Sequence, residues 1–94
     1  MLFTAVSASA QVVIYGHVRA RGTAEGVADA NIMLQDVEGK ALYDYCISDS
    51  DGNYSLEYSG TERVLRVVVT GFNLKPQSRE IEVGAQRIDF EVEY

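Results

Sequence analysis

The amino-acid sequence predicts an all-β protein, an antiparallel β-sandwich of about seven strands. The first observation is a period-two alternation of apolar and polar residues that recurs from Gln11 to the end of the chain. The second is that turn-forming residues separate the apolar stretches at short intervals. The third is that no window shows the i, i+3, i+4, i+7 apolar spacing of a helix without a glycine interruption. Strands with one apolar and one polar face are typical of antiparallel sheets.

Each stretch of alternation defines one strand. The apolar-face positions are, in chain order, Ile14, Gly16 and Val18; Ala30, Ile32 and Leu34; Tyr54 and Leu56; Leu65, Val67 and Val69; Ile81 and Val83; and Ile88, Phe90 and Val92. Another apolar-rich stretch covers residues 42–47. Turns are expected at Glu38-Gly39, Asp51-Gly52, Ser59-Gly60, Gly71 and Gly84. Pro76 lies in the longest loop, where it removes no ladder hydrogen bond, and the large ring of Phe72 is expected in the core.

Length and charge restrict the function. The chain has 94 residues, enough for one small domain, which we place at residues 11–94. The formal charge of −6 argues against a nucleic-acid partner, because such proteins carry a basic face. A single cysteine excludes an internal disulfide, and a single histidine leaves most metal and triad chemistry without its ligands.

Residues 1–10, MLFTAVSASA, resemble the end of a secretory signal peptide. A short apolar run leads into Ala8 and Ala10, which occupy the −3 and −1 positions of an A-x-A cleavage site. No lysine or arginine precedes Arg19, so this interpretation places the start of the signal upstream. The alternative is an apolar tail or a first strand. The run is too short to span a bilayer, and the sequence therefore predicts an exported protein without a transmembrane segment.

Neither Cys46 nor His17 is predicted to be catalytic. A nucleophilic thiol needs a nearby histidine or a helix N-terminus, and His17 lies on a different predicted strand. Cys46 is expected to be a small buried hydrophobe. His17 is expected to be an ordinary strand residue, because one histidine cannot build a zinc site.

Two motifs resemble the carboxypeptidase-regulatory-like domain family. Residues 48–56, SDSDGNYSL, are similar to the family's T-D-x-x-G-x-[FY]-x-L core, and residues 65–72, LRVVVTGF, to its L-x-[VF]-x-x-x-G-[YF] strand and turn. Weaker matches follow the family order at residues 14–18, 30–34 and 88–92. The G-x-P of the family is here Gly26-Val27-Ala28, without the proline. The resemblance implies a seven-stranded, prealbumin-like Greek-key sandwich. It also implies a non-enzymatic module of exported and outer-membrane proteins, including extensions of TonB-dependent receptors.

The Asp-Gly turn at residues 49–53 allows two interpretations. Asp49 and Asp51 can accept hydrogen bonds from nearby backbone N–H groups, and Gly52 can adopt a positive φ, so the turn is first a hairpin element. The alternative is a weak calcium site formed by Asp49, Asp51 and Asn53. An EF-hand is excluded by spacing, because its positions 1 and 12 would fall on Ile47 and Tyr58. No cofactor is predicted.

The sequence therefore predicts an exported accessory module that docks to a protein partner in the cell envelope. Docking would use loops or a sheet edge, for which residues 87–94 and residues 12–18 are the candidates. The alternative from another class is a carbohydrate- or cell-surface-binding module, whose platform would use exposed tyrosines from the set Tyr15, Tyr43, Tyr45 and Tyr58.

Overall fold

The structure is a computed structural model that describes residues 11–94. This part of the chain is all-β. Its eight strands are β1 (Val12–Ala20), β2 (Asn31–Gln35), β3 (Leu42–Ile47), β4 (Asn53–Tyr58), β5 (Val64–Thr70), β6 (Gln77–Glu82), β7 (Gln86–Arg87) and β8 (Phe90–Val92). Residues 11–94 contain no helix that could cross a membrane. The proposed signal segment, residues 1–10, lies outside the described residues.

The strands form two four-stranded sheets. The first has the order β4-β1-β7, and β8 also pairs with β1 beyond β7. β4 runs antiparallel to β1, whereas β7 and β8 run parallel to it. The second sheet has the order β3-β2-β5-β6, and every pair in it is antiparallel.

The buried faces of both sheets share one hydrophobic core. The strands alternate buried and accessible residues, as the period-two pattern predicted. The predicted apolar-face positions of β1, β2, β4, β5, β6 and β8 are buried, whereas Val83 is only partly buried. Tyr54 and Phe90 bring large rings together in this core, with centroids 6.4 Å apart.

The expectation of seven strands in wholly antiparallel sheets is not confirmed. The C-terminal segment forms two short strands along β1, interrupted at Ile88 and Asp89. At the interruption, the Ile88 N–H donates to the Tyr15 carbonyl at 2.8 Å. The Asp89 carboxylate accepts the backbone N–H of His17 at 3.0 Å, in place of a ladder carbonyl.

The placement of residues 12–18 at a sheet edge was wrong. β1 has neighbours on both sides, because β4 pairs with one side and the C-terminal strands with the other. Residues 87–94 do lie at an edge, as predicted.

The prediction that Phe72 joins the core was also wrong, since 90% of this residue is exposed. The β5–β6 loop turns through Asn73, whose φ is +59°, and the Leu74 N–H donates to the Gly71 carbonyl at 3.1 Å. This turn buries Leu74 instead and leaves the Phe72 ring outside.

Candidate functional site

The Asp49 carboxylate organises the turn between β3 and β4. Its Oδ1 accepts the backbone N–H groups of Asp51 and Asn53, both at 2.9 Å. These donors, above all the Asn53 N–H, hold the pKa of Asp49 below its ordinary value. The Gly52 N–H donates to the Asp49 carbonyl at 2.9 Å, which closes the turn from the main chain. The hydrogen bonds of the turn are those predicted from its Asp and Gly residues. The prediction of a hairpin was wrong, because β3 pairs with β2 and β4 pairs with β1, so the turn connects the two sheets.

The same turn is fastened to β1. Gly52 has a φ of +89° and is buried, and its carbonyl accepts the Val18 N–H at 2.8 Å. A Cβ at Gly52 would lie 2.4 Å from the Val18 carbonyl oxygen. His17 adds a side-chain bond, with Nε2 at 2.7 Å from the Asp51 carbonyl oxygen. The first contacts require glycine at position 52. The His17 bond helps to hold the turn against β1.

The calcium hypothesis has little geometric support. Asp49, Asp51 and Asn53 come together in one turn, but Asp49 Oδ1 already faces two N–H donors. A cation there would have to displace those donors from the oxygen. Within residues 11–94, no group of three His, Cys, Asp or Glu side chains is placed to hold a metal ion.

Cys46 and His17 lie on different sheets, on β3 and β1. Partial burial raises the pKa of the Cys46 thiol, and the Ser55 backbone hydrogen-bonds its sulfur. A raised pKa keeps the thiol protonated at neutral pH, which is unfavourable for a nucleophile. The half-buried thiol therefore packs against its neighbours and accepts a hydrogen bond from Ser55 at the edge of β4.

The free edge of β4 is covered by side chains of neighbouring segments. Its outward N–H groups belong to Asn53, Ser55 and Glu57, because the intervening residues bond to β1. Asn53 donates to Asp49 at 2.9 Å, Ser55 to the Cys46 sulfur, and Glu57 to Asp44 Oδ2 at 2.7 Å. Sequence reasoning missed the role of Asp44, for which the only signal was a carboxylate within the apolar stretch 42–47.

The predicted docking edge at residues 87–94 is covered as well. The carbonyls of Asp89, Glu91 and Glu93 face away from β1. They accept, in that order, from Arg79 Nη2 at 3.2 Å, from Gln77 Nε2 and from the Lys75 backbone N–H at 2.8 Å. The two glutamate side chains form ion pairs with arginines of β1 and the following loop, Arg19 and Arg21, at 3.1 and 2.9 Å. Strand addition at this edge would first have to break these bonds.

The exposed tyrosines do not form a common platform. Tyr54 and Tyr58 are buried. Tyr15 is exposed on β1 and Tyr45 on β3, so they belong to different sheets. Tyr43 leans on Tyr58, with ring centroids 5.1 Å apart in an edge-to-face arrangement.

The most exposed aromatic residues instead lie at one end of the strands. Phe72 is 90% exposed in the β5–β6 loop, and Tyr94 is 69% exposed after β8. The bond from the Lys75 N–H to the Glu93 carbonyl joins these two segments. We call the loop 71–76 together with residues 93–94 the aromatic end.

Comparison with known proteins adds no relative. No protein-family model matches the sequence, and no curated protein matches it.

Proposed function

We propose that this protein is a non-enzymatic accessory module that docks to a protein partner of the cell envelope through its aromatic end. The observation that carries this proposal is Phe72, a large apolar ring held in solvent by a structured turn. Aromatic residues are enriched in protein–protein interfaces. Because the buried Leu74 and the Asn73 turn fix the backbone of this loop, binding through Phe72 needs little ordering of the main chain.

The fold supports the same proposal. Two four-stranded sheets around one core are compatible with a prealbumin-like β-sandwich of the carboxypeptidase-regulatory-like kind. The side-chain cover on β4 and β8 favours docking through loops over strand addition at those two edges. The carbohydrate-binding alternative has weaker support, because the exposed tyrosines are divided between two sheets.

Export is part of the proposal and rests on residues 1–10. β1 begins at Val12, one residue after the predicted new N-terminus, Gln11. Cleavage after Ala10 would therefore leave all eight strands in the mature chain.

Photo-cross-linking in the native host tests the docking proposal. A photoreactive phenylalanine analogue at position 72 should form a discrete adduct with one envelope protein, whereas the same analogue at Tyr15 should not. Tyr15 is a matched control because it is an exposed aromatic residue on a sheet face, away from the aromatic end. Equal labelling at both positions would contradict the proposal. So would turnover of peptides, esters or glycans that is lost in His17→Ala or Cys46→Ala.

A further inference from the structure

β3 differs from the other three edge strands. β4 and β8 have covered edges, and β6, which follows Pro76, carries three charged residues, Arg79, Glu80 and Glu82. β3 pairs with β2 alone and contains no lysine, arginine or proline. Three of its apolar residues, Leu42, Tyr45 and Ile47, are exposed by 60%, 51% and 51%. Apolar edge strands of this kind are templates for pairing with another strand.

The charge on β3 is already neutralised within the molecule. Asp44 is its only charged residue, and it is half-buried. Asp44 Oδ2 accepts from the Glu57 N–H of β4 at 2.7 Å, and Oδ1 accepts from the Tyr45 N–H at 2.8 Å. The Tyr45 N–H thus points away from β2 and bonds only to the adjacent side chain of its own strand. A carbonyl of an added strand could replace that local bond.

We propose that two copies of this protein associate through β3, antiparallel about a two-fold axis at Tyr45. The directions of the backbone N–H and C=O groups of β3 fit this pairing. The Ser48 N–H donates to the Ala30 carbonyl at 2.9 Å, so from Asp44 to Ser48 the even-numbered residues face β2, whereas Tyr45 and Ile47 face outward. Before Asp44 the register shifts, because Leu34 pairs with Asp44 but Gln35 pairs with Leu42, which leaves Tyr43 as an extra residue. Pairing about Tyr45 then sets Tyr45 opposite Tyr45 of the second copy, and Tyr43 opposite Ile47. At the axis, the outward N–H and C=O groups of Tyr45 match those of the second copy.

The side chains of this register are also self-complementary, which is why a second copy is the favoured occupant. Asp44 falls opposite Cys46 of the second copy, so no two like charges face each other. Tyr45 lies in a cross-strand row with Met33 of β2 and Val68 of β5. Across the axis this row would continue into its copy and form an apolar band over one eight-stranded sheet. The interface is isologous, as two-fold symmetry requires.

The association is expected to be weak. Six residues per copy bury less than the roughly 800 Å² per partner of a standard interface. Each copy also carries a formal charge of −6, which opposes association at low ionic strength. Added salt should therefore favour the dimer.

Two measurements on the full chain test the proposal. In sedimentation equilibrium, the average mass should rise from 10.4 kDa toward twice that value with concentration. Tyr45→Lys and Tyr45→Glu should each be monomeric, and their equimolar mixture should associate, because opposite charges then meet at the axis. Tyr15→Lys, on the other sheet, should associate like the wild type. Association of the mixture also shows that both variants are folded.

Disulfide trapping tests the register. In a Cys46→Ser background, Tyr45→Cys should form a covalent dimer on mild oxidation, since the Cα atoms of such a pair lie about 5.5 Å apart, within disulfide reach. Ile47→Cys should not, because Ile47 faces Tyr43 of the second copy. A wild type that stays monomeric at millimolar concentration would overturn the proposal, as would preferential trapping at Ile47. Either result leaves the Phe72 docking proposal untouched, because the two proposals use different surfaces.

Discussion

Two glycines with nearly the same backbone conformation should respond very differently to alanine. Gly52 has a φ of +89° and Gly22 a φ of +83°, so a side chain is conformationally strained at both. A Cβ at Gly22 meets nothing within 4 Å, whereas at Gly52 it lies 2.4 Å from the Val18 carbonyl oxygen and 2.9 Å from the Val27 nitrogen. The pair therefore separates backbone strain from steric exclusion.

The magnitudes follow from these contacts. Left-handed backbone costs a non-glycine residue about 1–2 kcal/mol, which is the loss expected for Gly22→Ala. At Gly52 the methyl group also pushes apart the bonds that join Val18 to Gly52 and to Val27, both 2.8 Å long. A strained contact and weakened hydrogen bonds make Gly52→Ala costlier than Gly22→Ala by roughly 2–4 kcal/mol. This is a large share of the about 5–15 kcal/mol that stabilises a typical domain.

Urea denaturation followed by far-UV circular dichroism measures both variants. Gly22→Ala should shift the midpoint modestly with the slope unchanged, and Gly52→Ala should shift it far more or leave the chain unfolded in buffer. Equal shifts would refute the argument, because they would mean that the turn yields to the methyl group without loss.

Further predictions concern other parts of the chain. Gly16→Ala should destabilise by about 2–4 kcal/mol in thermal denaturation, because its Cβ would lie 1.8 Å from the Ile88 carbonyl oxygen, which also accepts the Tyr54 hydroxyl at 2.6 Å. Gly84→Ala, with open space around the Cβ, should be near neutral. The lowered pKa of Asp49 means that its stabilisation is complete above the unfolded-state pKa and is lost as the pH falls through the lower folded-state value. Asp49→Asn should therefore flatten the acid limb of a stability–pH profile below about pH 4. Calorimetry should detect no micromolar calcium binding, and binding that Asp51→Ala abolishes would show that the turn is a metal site. Mass spectrometry of the protein from its native host should find Gln11 as the N-terminus, and an intact Met1 would contradict cleavage.

Periodicity predicted the local structure of the chain well. The alternation in β5 placed Leu65, Val67 and Val69 on one face, and all three are buried. The Asp-Gly pattern predicted the turn before β4, because Asp49 and Gly52 close it through bonds within five residues. The faces of a strand and the shape of a turn depend on residues that are close in sequence, so both can be predicted from a short segment.

The arrangement of strands depends on contacts that periodicity does not report. β1 is central because the C-terminal strands, about seventy residues later, pair with it: Ile14 faces Gln86 of β7, and Val18 faces Phe90 of β8. Phe72 and Leu74 are both apolar residues of one loop, and the left-handed Asn73 decides which of them enters the core. The cover on the edges arises between sheets, where Asp44 reaches β4 and Arg79 reaches β8. The residues that form this cover look like ordinary polar residues in the sequence, so the sequence alone does not reveal their role.

The parallel pairing of β1 with the C-terminal strands has a mechanical consequence. The chain enters β1 at one end of the first sheet and leaves β8 at the other end, because Ile14 pairs with Gln86 and Ala20 with Val92. Tension applied to the two termini therefore acts along the strands, in shear. The hydrogen bonds between β1 and β8, together with the Arg19–Glu91 ion pair, bear this load at the same time, whereas in a hairpin they would open one after another. A domain connected in this way resists stretching when both of its ends are tethered.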